Sequence, residues 1–409
     1  MHRRTSFLAL VLLCSVTAAE AGVWGAKSRH CPRLVTHLTA LEADPGVSPT
    51  RLARYRNRLA DRCVALNEVQ VLGSHNSFHI QPRPTVFSAL LAVSTVFEAW
   101  EYTHLPLDQQ FDAQAVRQIE LDVFADPAGG LYAHRDGLTY IGEDPNSTDP
   151  TLAQPGFKVM HIQDLDFETT CTTFVGCLRV VKGWSDAHPR HLPIMILVEA
   201  KTDVLPNAFG LHFAVPLPIG AAELDALDAE IRSVFPPRQL ITPDRVRRGR
   251  ATLEQAVLEL GWPRLGSLRG KVLFTLDNGG SIRNAYLAGH ASLAGRILFT
   301  DSSPGSPEAA FVKENDPLAN PATIPALVAD GYVARTRADG DTVQARSGDT
   351  TMRDAAIASG AQWVSTDYEA ANPDFGTGYV VVIPGGSPAR CNPISAGPAC
   401  RDAGLERLP

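Results

Sequence analysis

The chain has 409 residues, of which 44% are hydrophobic and 20% are charged, so it is long enough for one large globular domain or two modest ones. Its formal net charge of -7 argues against a nucleic-acid binder that relies on a basic surface. A membrane surface remains open as a partner, because local patches matter more for binding than the total charge does.

The first residues have the three-part pattern of a secretory signal peptide. Arg3 and Arg4 form the basic segment, residues 7–16 form a short apolar segment, and residues 19–21 form a small-residue cleavage site. The apolar segment is too short to span a bilayer, and no later run is long enough. Residues 1–21 are therefore predicted to be a signal peptide cleaved near Ala21, which leaves a secreted chain without a transmembrane anchor.

Six cysteines remain once Cys14, inside the predicted signal, is removed. An even number in an oxidising compartment indicates disulfides, and six cysteines allow fifteen pairings. A zinc site is disfavoured because no short paired spacing recurs. We predict the nearest-neighbour pairs, which are Cys31–Cys63, Cys171–Cys177 and Cys391–Cys400.

Residues 22–68 are predicted to form an N-terminal helical segment packed on the domain that follows. Within it, leucines and alanines recur at helical spacing, with a break at residues 44–46. Apolar, strand-like runs then recur along the chain, mostly separated by stretches of helical pattern such as 222–234 and 352–359. The eight runs are 69–72, 116–124, 159–162, 194–198, 272–276, 297–299, 332–334 and 363–364.

The number and character of these runs predict an α/β fold. Parallel strands buried on both faces read as continuous apolar runs, and eight of them suggest a TIM-type (β/α)8 barrel over residues 69–409. A doubly wound sheet is the alternative, disfavoured by the strand count and the lack of a glycine-rich phosphate loop. The aromatic connection 77–112 predicts a lid or a barrel-covering helix. The Pro- and Gly-rich tail contains one more strand-like run, 379–383.

Polar residues collect at the ends of the runs, where the active sites of such barrels lie. Glu120 and Asp122 lie two apart on one strand and therefore face the same side. Two buried carboxylates need positive compensation, and a divalent cation such as Ca²⁺ is the simplest source. Salt bridges to arginines such as Arg117 or Arg335 are the structural alternative.

Three further residues are candidates for the same site. His75 follows the first run, and histidine is suited to proton transfer near neutral pH. His134 comes soon after the two carboxylates and is a candidate general acid, although a lone histidine is more often a polar surface group. Glu199 closes the fourth run as a third acidic ligand, unless it only forms an ion pair with Lys201.

Four stretches, in this order, resemble the phosphatidylinositol-specific phospholipase C superfamily, and more closely its secreted, calcium-dependent bacterial branch. They are VLGSHNSFHI, RQIELDVFADPAGGLYAHRDG, PIMILVEAK and GAQWVSTDYEA. The resemblance implies a TIM-type barrel that holds one Ca²⁺. The implied metal ligands are Asn76, Glu120, Asp122 and Glu199. The calcium-independent bacterial type replaces the metal with an arginine, and the intact carboxylates here favour the metal-dependent type.

The resemblance also implies roles in catalysis. His75 matches the histidine that stabilises charge on the phosphorane-like oxygens, and His134 matches the one that protonates the departing glycerol oxygen. A metal-bound carboxylate, Glu120 or Glu199, would take the proton of the attacking inositol hydroxyl. The products would be diacylglycerol and a cyclic inositol phosphate, with slow hydrolysis to the open monophosphate. The implied substrate contacts, to phosphate or sugar hydroxyls, are Lys201 and Arg335.

Two other functions stay open on the sequence. A glycerophosphodiester phosphodiesterase has a similar barrel, a Glu-x-Asp pair and two histidines, but its first histidine is typically followed by Arg rather than by Asn76. A secreted phosphoinositide-binding barrel without turnover is disfavoured because the chemistry-bearing positions all have competent residues. The expected partner is phosphatidylinositol or a related phosphodiester at a membrane surface. The protein is expected to be a monomer and not to bind nucleic acid.

Overall fold

The computed structural model describes residues 31–385 and 388–406. The predicted signal peptide, including Cys14, lies outside the described residues, as does the beginning of the predicted helical segment. Within the described ranges, no helix has both the length and the apolar character needed to cross a bilayer.

From Cys31, where the described residues begin, to the first strand there are two α-helices, α1 (Cys31–Ala43) and α2 (Pro49–Cys63). The helical structure is interrupted between them. α2 begins after Ser48, whose side chain accepts a hydrogen bond from the Arg51 backbone N–H and so caps this helix. Arg264 Nη1 donates to the carbonyl oxygen of Cys63 at 2.6 Å, which ties the end of α2 to the chain before β5. The predicted break and both helices are thus present.

Ten strands form one sheet. They are β1 (Val69–Ser74), β2 (Gln118–Phe124), β3 (Lys158–Val159), β4 (Ile194–Ala200), β5 (Val272–Leu276), β6 (Leu298–Thr300), β7 (Phe311–Lys313), β8 (Val333–Arg337), β9 (Trp363–Thr366) and β10 (Ala389–Cys391). Eight of them run parallel in the order β6-β5-β4-β2-β1-β9-β8-β7. One parallel bridge between Asp301 and Phe311 joins the two ends of this row, so the barrel is nearly closed. The predicted TIM-like α/β barrel is confirmed.

Seven of the eight barrel strands correspond to predicted runs, and one does not. The run at 159–162 contributes only the short β3, which pairs antiparallel with the end of β2 and lies outside the parallel row. The strand that completes the barrel is β7, which the sequence analysis missed because only three of its residues pair and Lys313 ends it. The tail run 379–383 forms no strand, whereas β10 pairs antiparallel with β1.

The remaining helices lie mostly between successive barrel strands, and two of them were predicted closely, at 222–234 and 352–359. They are α3 (Pro84–Val93), α4 (Leu107–Ala113), α5 (Phe174–Ala187), α6 (Ala221–Val234), α7 (Pro243–Arg247), α8 (Leu253–Leu260), α9 (Gly280–Leu287), α10 (Thr323–Asp330), α11 (Val343–Ser347) and α12 (Thr351–Ala358). The long connection after β1 contains α3, so part of this aromatic segment is helical.

Three disulfides link Cys31 to Cys63, Cys171 to Cys177 and Cys391 to Cys400. All three predicted pairs are therefore confirmed. The first links α1 to α2, as expected.

Candidate active site

Three carboxylates meet at the carboxyl ends of β2 and β4. Glu120 and Asp122 are buried on β2, and Asp122 lies opposite Glu199 in the parallel register with β4. One oxygen of each side chain lies within 4.8 Å of the others. This is the set of acidic residues that the sequence placed at one site, and the tertiary structure brings it together.

The cluster has buried oxygens that lack donors. Neither carboxylate oxygen of Asp122 forms a hydrogen bond of good geometry with the described residues, and neither does the side-chain oxygen of Asn76. The Asn76 amide instead donates to the Tyr102 hydroxyl at 3.0 Å. Ser77 ties this turn to β2, because its hydroxyl accepts from Glu120 N at 2.8 Å. Unpaired buried oxygens of this kind fit a hard cation such as Ca²⁺.

Two cations also contact the carboxylates. Arg335 on β8 is buried and donates through Nη2 to Glu120 Oε2 at 2.6 Å. Lys201 Nζ lies 3.4 Å from Asp122 Oδ2 and 3.3 Å from Glu199 Oε1. The salt bridge to Arg335 and the Glu199–Lys201 pair, which the sequence left as alternatives, are thus both present. Asp122 Oδ1 still has no hydrogen-bond donor among the described residues.

Arg117, the other arginine considered as a partner of these carboxylates, does not contact them. Arg117 directly precedes β2 and forms a salt bridge with Glu406.

The protonation equilibria reflect crowded negative charge. Burial raises the pKa of Glu120 to about 7, and Asp277 and Glu199 add to this effect against the opposing charge of Arg335. Burial also raises the pKa of Asp122 well above its usual range, with Lys201 opposing. Burial would lower the pKa of the Lys201 ammonium, but Asp122 and Glu199 outweigh it and raise that pKa. Additional positive charge at this place would stabilise both carboxylates in their ionised form.

His75 lies beside this cluster in a defined orientation. Its Nδ1 is 2.7 Å from Asp367 Oδ1, and its Nε2 is 3.9 Å from Glu120 Oε1. Arg337 Nη1 lies 3.3 Å from Nε2 and Nη2 donates to Asp367 Oδ2 at 2.7 Å. Burial, together with Arg337, lowers the pKa of His75 to about 3. The neutral ring therefore carries its proton on Nδ1 and presents Nε2 as an acceptor.

A second histidine–aspartate pair lies on another side of the site. His161 follows β3, and its Nδ1 is 2.6 Å from Asp166 Oδ2. Asp166 also accepts from His79 Nε2 at 2.9 Å, and His79 stacks on Tyr102 with ring centroids 4.1 Å apart. Burial lowers the pKa of His161, and Lys201 is among the charges that add to this effect. His161 is thus electrostatically coupled to the cation that pairs with Asp122.

His134, the predicted general acid, is placed differently. Its side chain is 57% exposed, its Nδ1 lies 3.1 Å from Asn146 Oδ1, and its nearest carboxylate is Asp136 at 3.8 Å. None of these partners belongs to the carboxylate cluster. The structure therefore brings His75, Asn76, Glu120, Asp122, Glu199, Lys201 and Arg335 to one end of the barrel and shows no contact from His134 to this group within the described ranges.

The site also contains residues that were not predicted, among them Arg337, Asp367 and His161. Arg337 lies two residues after Arg335 on β8 and shares its face, and Asp367 directly follows β9. Both had a signal in the sequence, because Asp367 ends the VSTD stretch and polar side chains at strand ends were already favoured. His161 was read only as part of a strand.

The family model "Phosphoinositide phospholipase C, Ca2+-dependent" matches residues 64–393, which is more than half of the chain. A search of the curated proteins found no match.

Solved structures with a similar chain path include two bacterial enzymes. One is a calcium-dependent phosphoinositol-specific phospholipase C from Pseudomonas sp, with 18% identity, 81% of this chain and 96% of that chain covered, and a TM-score of 0.48. The other is a Ca²⁺-dependent phosphatidylinositol-specific phospholipase C from Streptomyces antibioticus, with 19% identity, 76% and 96% covered, and a TM-score of 0.46. At these values the two structures say nothing about the substrate of this chain. By the match along most of its length, the chain belongs to the Ca²⁺-dependent phosphoinositide phospholipase C family.

Proposed function

We propose that the chain is a secreted Ca²⁺-dependent phosphodiesterase that cleaves phosphatidylinositol, or a closely related inositol lipid, into diacylglycerol and a cyclic inositol phosphate. The observation that carries this proposal is the cluster of Glu120, Asp122 and Glu199, in which neither buried oxygen of Asp122 has a hydrogen bond of good geometry, beside two histidine–aspartate pairs. Family membership supports the same chemistry.

The residues that would hold Ca²⁺ are Asn76, Glu120, Asp122 and Glu199, which offer oxygen atoms only. When bound there, Ca²⁺ would lower the pKa of the inositol hydroxyl beside the phosphate and neutralise charge that develops on the phosphate oxygens. Lys201 and Arg335 already touch these carboxylates, so they are suited to shift towards the phosphate of a bound substrate.

Removal of the hydroxyl proton needs a base near the cluster. His75 is one candidate on geometry, because Asp367 holds its Nδ1 and its Nε2 lies 3.9 Å from Glu120 Oε1 and 3.3 Å from Arg337 Nη1. Glu120 and Glu199 stay as the other candidates. The role implied by the resemblance, charge stabilisation by His75, needs a proton on Nε2, and Arg337 beside that nitrogen is better suited to it.

Departure of diacylglycerol needs an acid. The inositol oxygen forms a bond to phosphorus, the bond from phosphorus to the glycerol oxygen breaks, and the glycerol oxygen takes up a proton. His161 is the better candidate on geometry, because Asp166 holds its Nδ1 and stabilises the imidazolium form. The phosphate of a bound substrate would favour the same form. His134 stays a prediction from sequence and is tested against His161 below.

Phosphorus NMR of the products from phosphatidylinositol, with calcium and with a chelator, tests the proposal. We expect a cyclic inositol phosphate with calcium and none with the chelator. Glycerophosphoinositol offered in parallel separates the closest rival, since a glycerophosphodiester phosphodiesterase would prefer the deacylated substrate. Turnover that survives the chelator, or binding of the lipid without turnover, would contradict the proposal.

A further inference from the structure

An apolar cavity of about 330 Å³ lies beside the site. Its walls come from α3, from the turn Thr95–Trp100, and from the segments 137–141, 162–165 and 205–213. Every described residue that lines it is apolar, aromatic or glycine, and Leu90, Phe97, Trp100 and Phe213 are among them. A cavity of this size and chemistry fits part of an apolar ligand and offers no partner to a charged one.

The cavity shares a wall with the candidate acid. The Trp100 ring lines the cavity and packs edge-on against His161, with centroids 5.8 Å apart. Ile162, the next residue along the chain, also lines it. A group that leaves from beside His161 therefore leaves next to the cavity. In a glycerolipid the acyl esters begin only a few bonds from the glycerol oxygen that is released.

Large apolar side chains at the cavity are also exposed to solvent. Phe209 is 67% exposed, Tyr140 is 51% exposed, and their rings lie 5.3 Å apart. Val93, at the end of α3, is 49% exposed. Apolar patches of this kind on a protein surface mark contact with lipid or with another protein. Phe78 and Phe87, in the aromatic connection 77–112, are buried and do not belong to this exposed patch.

We propose that this cavity binds one acyl chain of the lipid substrate while the headgroup occupies the carboxylate and histidine site. The inference rests on the proposed function and deepens it, since the enzyme would then recognise the acyl chain of the lipid as well as the inositol phosphate. Phe209, Tyr140 and Val93 form the entrance that faces the bilayer. The acyl chain is buried to the same extent in the Michaelis complex and in the transition state, so its binding should lower mainly KM.

The first test measures kcat/KM on phosphatidylinositols with four-carbon and eight-carbon chains, each below its critical micelle concentration. Each buried methylene contributes up to about fourfold, so we expect at least roughly a tenfold preference for the longer substrate. Ala89→Phe, which fills the cavity from α3, should reduce this ratio to about one. Ala92→Phe, on the exposed side of the same helix, should keep it. If Ala89→Phe does not fold, Ala208→Phe fills the opposite wall.

Equal ratios in Ala89→Phe and in the wild-type protein would overturn the proposal. So would a wild-type ratio near one, which is the result expected if the exposed residues only insert into a bilayer and no chain enters the cavity.

A binding measurement separates this proposal from the proposed function. A bromine-labelled dodecanoyl glycerol should quench the fluorescence of Trp100, and the quenching should be lost in Trp100→Phe and in Ala89→Phe. Quenching without turnover of any inositol phosphodiester would leave the cavity as a lipid site and refute the enzyme. Turnover of chainless inositol phosphodiesters without quenching, and without a chain-length preference, would refute the cavity alone.

Discussion

The imidazole of His104 is held between two acceptors. Its Nδ1 lies 2.7 Å from Glu369 Oε1, and its Nε2 lies 2.7 Å from the carbonyl oxygen of His75. Both ring nitrogens satisfy their partners only when both carry protons, so the contacts favour the imidazolium. Burial alone would lower the pKa of His104, but Glu369 outweighs it and the pKa is raised. His104 thereby fixes the backbone at His75.

A raised pKa makes the contribution of His104 to stability depend on pH. Because the folded state binds the proton more tightly than the unfolded state, this contribution is fully present below about pH 6.5 and is lost as the pH rises through the folded-state value. We expect the difference in unfolding free energy between the wild-type protein and His104→Gln, from urea denaturation, to be larger at pH 5.5 than at pH 8.5. A difference in unfolding free energy that is larger at pH 8.5 than at pH 5.5 would contradict this prediction.

His161 and His134 give a second prediction at this scale. His161→Ala should lower kcat on phosphatidylinositol by about 10²–10⁴-fold, the usual contribution of a general acid, whereas His134→Ala should change it little. An inositol phosphodiester with a nitrophenol leaving group needs no acid, so His161→Ala should lose much less activity on it. A large loss in His134→Ala with the natural substrate alone would restore the assignment made from the sequence.

The residues that were found and missed show where sequence reasoning stops. Glu120 and Asp122 were readable because alternation along one strand fixes which side chains share a face. His161 was not, because it enters the site through the antiparallel pairing of β3 with the end of β2 and through the tight turn before Asp166. His134 was favoured because it is near Asp122 in sequence and because the resemblance assigned it a role, but distance along the sequence does not measure distance in space.

Among the elements, β1 and β2 approach each other closely where the barrel must curve. Gly73 on β1 pairs with Gln118 on β2, and a Cβ atom at Gly73 would lie 1.8 Å from Gln118 Oε1 and 2.9 Å from Gln118 Cβ. Rotation of the amide relieves the first contact but not the second. Gly73 therefore leaves the space that the Gln118 side chain occupies.

This close approach predicts opposite effects of one substitution at two glycines. Gly73→Ala should lower the unfolding free energy by about 1–3 kcal/mol, as overpacking does. Gly183→Ala, on the exposed face of α5 with nothing within 4 Å of the added atom, should raise it by about 0.5–1 kcal/mol. Chemical denaturation of both variants checks this, and equal effects at the two positions would contradict the steric argument.

At the scale of the whole molecule, the carboxylate cluster should couple calcium to stability. An ion that binds only the folded state stabilises it by about 2.7 kcal/mol at a hundredfold excess over Kd. We expect calcium to raise the Tm and a chelator to reverse the rise. Asp122→Asn should reduce this response, because it removes one carboxylate of the cluster.

Asp330→Asn, at the end of α10 and on the surface, is the control and should keep the response to calcium. Calorimetry or dye-monitored melting of the three proteins is sufficient. An equal response in Asp122→Asn and Asp330→Asn would place the calcium elsewhere.

The sequence by itself determined the fold class, the presence of disulfides and the set of acidic residues at one end of the barrel, whereas the three cysteine pairs were a choice among fifteen. These follow from local properties: continuous apolar runs predict buried parallel strands, an even cysteine count favours pairs, and polar residues at strand ends share one rim. It also carried the family resemblance, which the match over residues 64–393 confirmed.

Only the tertiary structure decided which segments complete the barrel and which side chains meet. The pairing of β7 and the departure of β3 from the parallel row depend on hydrogen bonds between segments far apart in sequence. The same holds for Arg335 with Glu120, for Asp367 with His75 and for the apolar cavity beside Trp100. Such contacts arise when the chain closes on itself, and no spacing within one segment encodes them.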